Sequence, residues 1–134
     1  MIVDTSAVVA ILRREPGHES LAGAILADPA PKMSAATAVG LYAVADVRGA
    51  PAEAARVDAV LRTLRVEIVP FDEPQAQLAR QAYRRFGKGS GSRAGLNLGD
   101  VFAYALAAQT VEPLLFVGHD FSHTDIEPAA PPVR

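Results

Sequence analysis

Asp4 follows Met1-Ile2-Val3, a short apolar run of strand character, and precedes Thr5, Ser6 and a second apolar run. Asp100 lies in the segment LNLGDVFAYALAAQ, at the first turn of an apolar helix, and Asp120 comes two residues after the run PLLFVG. Each has an ordinary reading. Asp4 or Thr5 can cap the helix beside it. Asp100 can gain ~0.3–1 kcal/mol from a helix dipole, with Asn97 as the cap. Asp120, in Gly-His-Asp, is good turn chemistry. Brought to one place, the three carboxylates would repel one another unless a cation lay among them. All-oxygen donors select Mg²⁺ or Mn²⁺ over Zn²⁺. Such a site suits phosphodiester hydrolysis, in which metal ions activate water and stabilise the attacking and leaving oxygens.

The surrounding elements decide whether the three can meet. Residues 1–4 read as a short buried strand, and Thr5 to about Arg14 as a helix. A second helix is expected from about His18 to Ala27, and a short strand at Lys32–Ala35. Ala36 to about Val47 is helical by pattern, and so is Ala52–Leu64, with Gly49-Ala50-Pro51 as the break between them. VEIVPF alternates and is rich in branched residues, which predicts a strand. A helix follows from Asp72-Glu73-Pro74, with Tyr83 and Phe86 expected to pack in the core. GKGSGSRAGLN reads as a loop, Leu98–Thr110 as a helix and PLLFVG as a strand. HDFSHTDI reads as a turn leading to one more short strand, with Asp125 as a turn or cap residue. Strands separated by helix pairs need crossover connections, hence a mostly parallel sheet covered on both faces. Ligands in such sheets bind at the carboxyl ends of the strands. Asp4 and Asp120 fall at such ends, and Asp100 at a helix N-terminus.

The chain has 134 residues, half of them hydrophobic and 21% charged. That predicts one domain over residues 1–134, with a Pro-rich tail at about 128–134 frayed. The formal net charge of −2 does not advertise nucleic-acid binding, so an RNA ligand would need a local basic patch or metal-bridged phosphates. With no cysteine, disulfides, thiolate metal sites and Cys nucleophiles are excluded, and a reducing, cytoplasmic setting is expected. No leader is visible ahead of the first strand, and the apolar runs are too short and too broken to cross a membrane.

The stretches MIVDTSAVVAIL, MSAAT, VEIVPFD, AYRRFGKG, AGLNLGDVFAYALA and PLLFVGHDFSHTDIEPA resemble, in order and over essentially the whole chain, a PIN-domain ribonuclease. The nearest group is the VapC-type toxin of bacterial toxin–antitoxin pairs. The resemblance implies a three-layer α/β/α PIN-like domain and an endoribonuclease that leaves 5′-phosphate and 3′-hydroxyl ends. It implies about four acidic side chains around one or two Mg²⁺ or Mn²⁺ ions. Asp4 matches the first acid, Asp100 the third and Asp120 the last, while Ser6 resembles a residue that orders the site by hydrogen bonding. The implied partners are an RNA substrate, a cognate antitoxin and a second copy of the chain. In the resembling family, apolar helical faces such as those around residues 8–12, 21–26 and 39–47 bind the antitoxin tail and a second subunit. Ordinary core packing is the alternative for them.

One family acid is missing. It falls seven positions from Ser34 inclusive, where this chain has Gly40. Three accounts are open: drift that weakens metal binding, a disarmed form, or substitution by Asp46. On an ideal helix Asp46 lies about 600° further on, some 120° off the Gly40 direction, so it is not expected to reach. Arg84, Arg85, Lys88 and Arg93 precede Asp100 and read either as phosphate-binding groups or as solvated charges near a helix end. His18, His119 and His123 show no metal-ligand spacing, and His119 reads as a surface turn residue or a group near phosphate. Two rivals follow. One is a PIN-fold module that binds antitoxin and dimerises without cleaving. The other is aspartyl phosphotransfer at Asp4, which lacks a second acid close by and any Lys in the last third of the chain.

Overall fold

A computed structural model describes residues 1–48 and 50–129, without the side chain of Arg48. Four short parallel strands form the sheet: β1 (Ile2–Val3), β2 (Lys32–Ser34), β3 (Glu67–Val69) and β4 (Leu114–Leu115). Their spatial order is β3-β2-β1-β4. A helix pair joins each strand to the next in sequence: α1 (Thr5–Leu12) and α2 (His18–Ala27), then α3 (Ala35–Ala43) and α4 (Pro51–Thr63), then α5 (Glu73–Phe86) and α6 (Leu98–Thr110). The α/β architecture with a parallel sheet agrees with the expectation from sequence.

Successive strand residues face opposite ways, and the neighbouring strands β1 and β4 divide the core accordingly. Val3 and Leu115 pack with buried residues of α1–α4, including Val8, Ile25, Leu41 and Leu61. Their neighbours Ile2 and Leu114 pack on the other side with Ala103, Leu106 and Leu96. Ile2 pairs with Leu114, and Val3 with Leu115, so each pair presents like-facing apolar side chains. Full burial of one such side chain contributes roughly 1.5–3 kcal/mol. A one-residue slip would exchange the two faces, so the register that puts Asp4 just beyond β1 is strongly specified.

The amino end of the sheet is closed by ion pairs. The Met1 amine donates to Asp28 Oδ2 at 3.0 Å and to Glu112 Oε2 at 2.9 Å, and Lys32 Nζ lies 3.0 Å from Glu112 Oε1.

Several elements differ from the sequence expectation. The helix read over 36–47 is α-helical only to Ala43, and Val44–Arg48 is a π turn. Such turns admit an extra residue and change the direction of later side chains. Among the described residues no full fifth strand follows β4. Asp120–His123 form a 3₁₀ turn, and the chain then returns to make a single parallel bridge between Pro128 and Leu114. Leu114 N donates to Glu127 O at 2.9 Å and Ala129 N to Leu114 O at 2.8 Å. Residues 128 and 129, expected to be frayed, are therefore paired, while 130–134 lie outside the described residues. Among the described residues no helix is long and apolar enough to cross a membrane.

Candidate active site

Asp4 ends β1 and caps α1. Its Oδ2 accepts from the Ser6 amide at 3.1 Å and from Ser6 Oγ at 2.7 Å. Ser6 Oγ in turn accepts from the Val117 amide at 3.0 Å, tying the exits of β1 and β4 together through one hydroxyl. The local sequence explains this: Asp in the extended cap position satisfies the first free amides of a helix. Asp4 is only 6% exposed.

Asp100 is placed by a capping box at the start of α6. Asn97 Oδ1 accepts from the Asp100 amide at 2.9 Å, and Asp100 Oδ2 accepts from the Asn97 amide at 3.0 Å. This reciprocal pair satisfies two free amides and fixes both side chains, as the reading of Asn97 as cap anticipated.

Asp4, Ser6, Asn97 and Asp100 line one open cleft of about 390 Å³, whose remaining wall includes Gly40 and Val44. A Cβ built on Gly40 would meet only Thr5 Oγ1, at 3.9 Å. The position expected to hold a further acid thus faces the Asp4–Asp100 cleft and has room for a side chain. Asp46, in the π turn, is exposed and does not line the cleft.

Asp120 is exposed at the start of the 3₁₀ turn. It is not part of the cleft wall, yet its charge acts on both other aspartates. Burial raises the Asp4 pKa against the Ser6 and Thr5 hydrogen bonds, and the Asp120 charge adds to the rise. Burial likewise pushes Asp100 up to about 6. The Asn97 amide opposes that, the charges of Asp4 and Asp120 reinforce it, and Lys88 pulls against it. The three carboxylates share one electrostatic field, but among the described residues no three His, Cys, Asp or Glu side chains are grouped closely enough to hold an ion. Carboxylates with raised pKa values, rigidly hydrogen-bonded from behind and facing open space, form a hard-oxygen donor set that a divalent cation would neutralise.

The four basic residues separate. Lys88 is close enough to act on Asp100, and its amide is tied to Leu96 O at 2.9 Å, so this loop is anchored. Arg85 is turned toward Asp125 at 3.5 Å and lies 4.6 Å from the centre of the Phe86 ring. Arg84 borders an apolar groove between α5 and α6. Arg93 is exposed. Tyr83, expected in the core, is 40% exposed on the same groove, whereas Phe86 packs against Tyr104. His119 and His123 are surface residues of the 3₁₀ turn. Asp125, read as a turn or cap residue, instead accepts a hydrogen bond from Tyr104 Oη at 2.7 Å. Nothing in the local sequence signalled that pairing across 21 residues.

Comparison with known proteins decides the family. The PIN domain model matches residues 1–127. The chain belongs to the PIN-domain family. It is 49% identical over 129 residues to ribonuclease VapC42 of Mycobacterium tuberculosis, covering 96% of this chain and 98% of that protein. At this identity and coverage the chain is a VapC-type PIN domain, as the sequence motifs implied. The crystal structure of Mycobacterium tuberculosis VapC20, a sarcin–ricin loop cleaving toxin, shares the fold. Its TM-score is 0.68 at 16% identity, over 95% of this chain and 98% of that one. A toxin–antitoxin complex from Klebsiella pneumoniae matches with a TM-score of 0.65 at 16% identity, over 96% of this chain and 92% of that one.

Proposed function

We propose that this PIN domain is a metal-dependent endoribonuclease, the toxin of a toxin–antitoxin pair, with Asp4, Asp100 and Asp120 as its metal-binding and catalytic carboxylates. The observation that supports the reading is that Asp4, at the carboxyl end of β1, and Asp100 line one cleft, and that the charge of Asp120 reaches both. Bound there, Mg²⁺ or Mn²⁺ would lower the pKa of water and stabilise charge on the phosphoryl oxygens. The chain's own residues supply the placement. Ser6 holds Asp4 through Oδ2 and links it to the β4 exit. Asn97 holds Asp100 through Oδ2 alone. Lys88 is the basic residue best placed to meet a substrate phosphate, with Arg84, Arg85 and Arg93 contributing to a basic approach. An antitoxin that covers the cleft, a second copy of the chain and a cytoplasmic location complete the proposal.

Gly40 supports a second reading, in which the fold and its partner surfaces persist while cleavage is weakened or lost. The deciding experiment is Mn²⁺-dependent cleavage of a mixed structured RNA pool by the purified chain, beside Asp4→Asn and Gly40→Glu. Cleavage that vanishes in Asp4→Asn means the three acids suffice. Silence that Gly40→Glu breaks means the chain as it stands is a disarmed nuclease that works by binding. Silence from all three proteins counts against the nuclease.

A further inference from the structure

Asp120 is the one proposed ligand without a cap or capping box of its own, so something else must position it. It sits on the segment between β4 and the Leu114–Pro128 bridge, and both ends of that segment return to Leu114. Three features inside the segment restrain it. Phe121 is 3% exposed, with its ring 5.2 Å from that of Phe116. Thr124 Oγ1 donates to Phe121 O at 2.7 Å. Asp125 accepts from Tyr104 Oη at 2.7 Å on one oxygen and lies 3.5 Å from Arg85 on the other.

Tyr104 is one helical turn after Asp100 on α6, and residues four apart lie on the same helix face. Tyr104 is 5% exposed and its ring packs against that of Phe86, over which the Arg85 guanidinium lies. The phenol is thus rigid, and its hydroxyl reaches the only partner the described residues give it. The helix that carries Asp100 therefore also grips the turn that carries Asp120.

We propose that Tyr104, Asp125 and Arg85 form a positioning clamp that holds the Asp120 turn in register with Asp100. The functional half of this rests on the reading of Asp120 as a metal ligand; the mechanical half does not. The clamp gives Arg85 a structural task in addition to its place in the basic approach.

The test uses the full chain and two readouts. Amide hydrogen exchange follows the turn itself, and Mn²⁺ binding, measured by electron paramagnetic resonance, follows the site. Tyr104→Phe deletes one hydroxyl from a packed ring. It is expected to speed exchange across residues 120–124 while leaving α1–α4 unchanged, and to weaken Mn²⁺ binding roughly tenfold, as loss of an outer-shell partner does. Asp125→Ala should match it, and Asp125→Asn, which can still accept from Tyr104, should recover most of both effects. Unchanged exchange at 120–124 in Tyr104→Phe and Asp125→Ala would overturn the clamp, as would faster exchange spread evenly over the protein. Faster exchange with unchanged Mn²⁺ affinity would remove its role in the site. If wild type and Asp4→Asn bind Mn²⁺ equally, the metal reading fails, and exchange alone decides the clamp.

Discussion

The two ends of the parallel sheet treat acidic side chains in opposite ways. At the amino end, Asp28 and Glu112 are matched by the Met1 amine and Lys32 at about salt-bridge distance, from 2.9 to 3.0 Å. Burial pushes Glu112 upward, but hydrogen bonds from the amine and Lys32, and their charges, outweigh it and leave the pKa lowered. At the carboxyl end, Asp4, Asp100 and Asp120 make no salt bridge among the described residues, and Asp4 and Asp100 are shifted upward. Their hydrogen bonds come from a serine and from backbone amides, which fix orientation without supplying charge. The same fold thus spends one end on stability and holds the other in an unneutralised state. Perturbed carboxylates in a cleft are where function concentrates.

Removing a carboxylate from the unneutralised end should break the contrast most severely. Asp4→Asn keeps the cap, because Asn caps a helix as well as Asp, but deletes a buried charge. RNA cleavage is expected to fall by about 100-fold or more, since even outer-shell changes cost 10–100-fold. In EDTA the same variant should melt above wild type, because the folded state no longer carries a desolvated carboxylate near two others. With Mn²⁺ present the order should reverse. A variant that melts lower in both conditions would mean Asp4 is a structural acid like Glu112.

Ser6→Ala comes next. It removes the hydroxyl that Asp4 accepts from and that the Val117 amide donates to. Cleavage and Mn²⁺ affinity should drop about 10–100-fold. Ser6→Thr, which keeps the hydroxyl, should retain most of both.

Gly40→Glu tests the bare wall. Space is available beside Thr5, and a further carboxylate should tighten Mn²⁺ binding by about tenfold, comparable in size to outer-shell effects. Gly40→Ala controls for helix propensity, which alone is worth up to ~1 kcal/mol of stability and should leave Mn²⁺ affinity unchanged. Equal behaviour of the two variants would show that the wall affects only the helix.

The sequence disclosed these features unevenly. Asp4, Asn97 and Asp100 were legible because each sits beside an element boundary where capping chemistry is local. The apolar run Met1-Ile2-Val3 likewise announced a short buried strand. The π turn after Ala43 was not legible, because its residues continue a helical pattern and only the hydrogen-bond spacing differs. The Tyr104–Asp125 contact and the Glu112 ion cluster were hidden for another reason. Each joins residues far apart in the chain, and a carboxylate's partner across the fold leaves no periodic trace. The exposure of Tyr83 failed the pattern argument because a helix face predicts burial only where another element covers it.

The smallest effect is expected at the neutralised end, and pH gives its sign. A carboxylate whose folded pKa is lowered contributes stability above its unfolded value and loses that contribution as pH falls through the folded one. For Glu112, with an ordinary value of 4.5, the contribution is fully present at pH 7 and disappears below the usual carboxylate range. Glu112→Gln should therefore destabilise the protein by about 0.5–1 kcal/mol at pH 7, solvent screening keeping the effect small, and the gap from wild type should close in acid. The carboxyl end works in the other sense in EDTA. With Asp100 raised to about 6, its folded state holds a proton that the unfolded chain has released, so metal-free stability declines as pH rises toward 6. Urea titrations of wild type, Glu112→Gln and Asp100→Asn between pH 4 and 7 separate the two ends. Relative to wild type, Glu112→Gln should lose ground as pH rises, and Asp100→Asn should gain it. Parallel curves for both variants would show that the two ends of the sheet do not differ in how they carry charge.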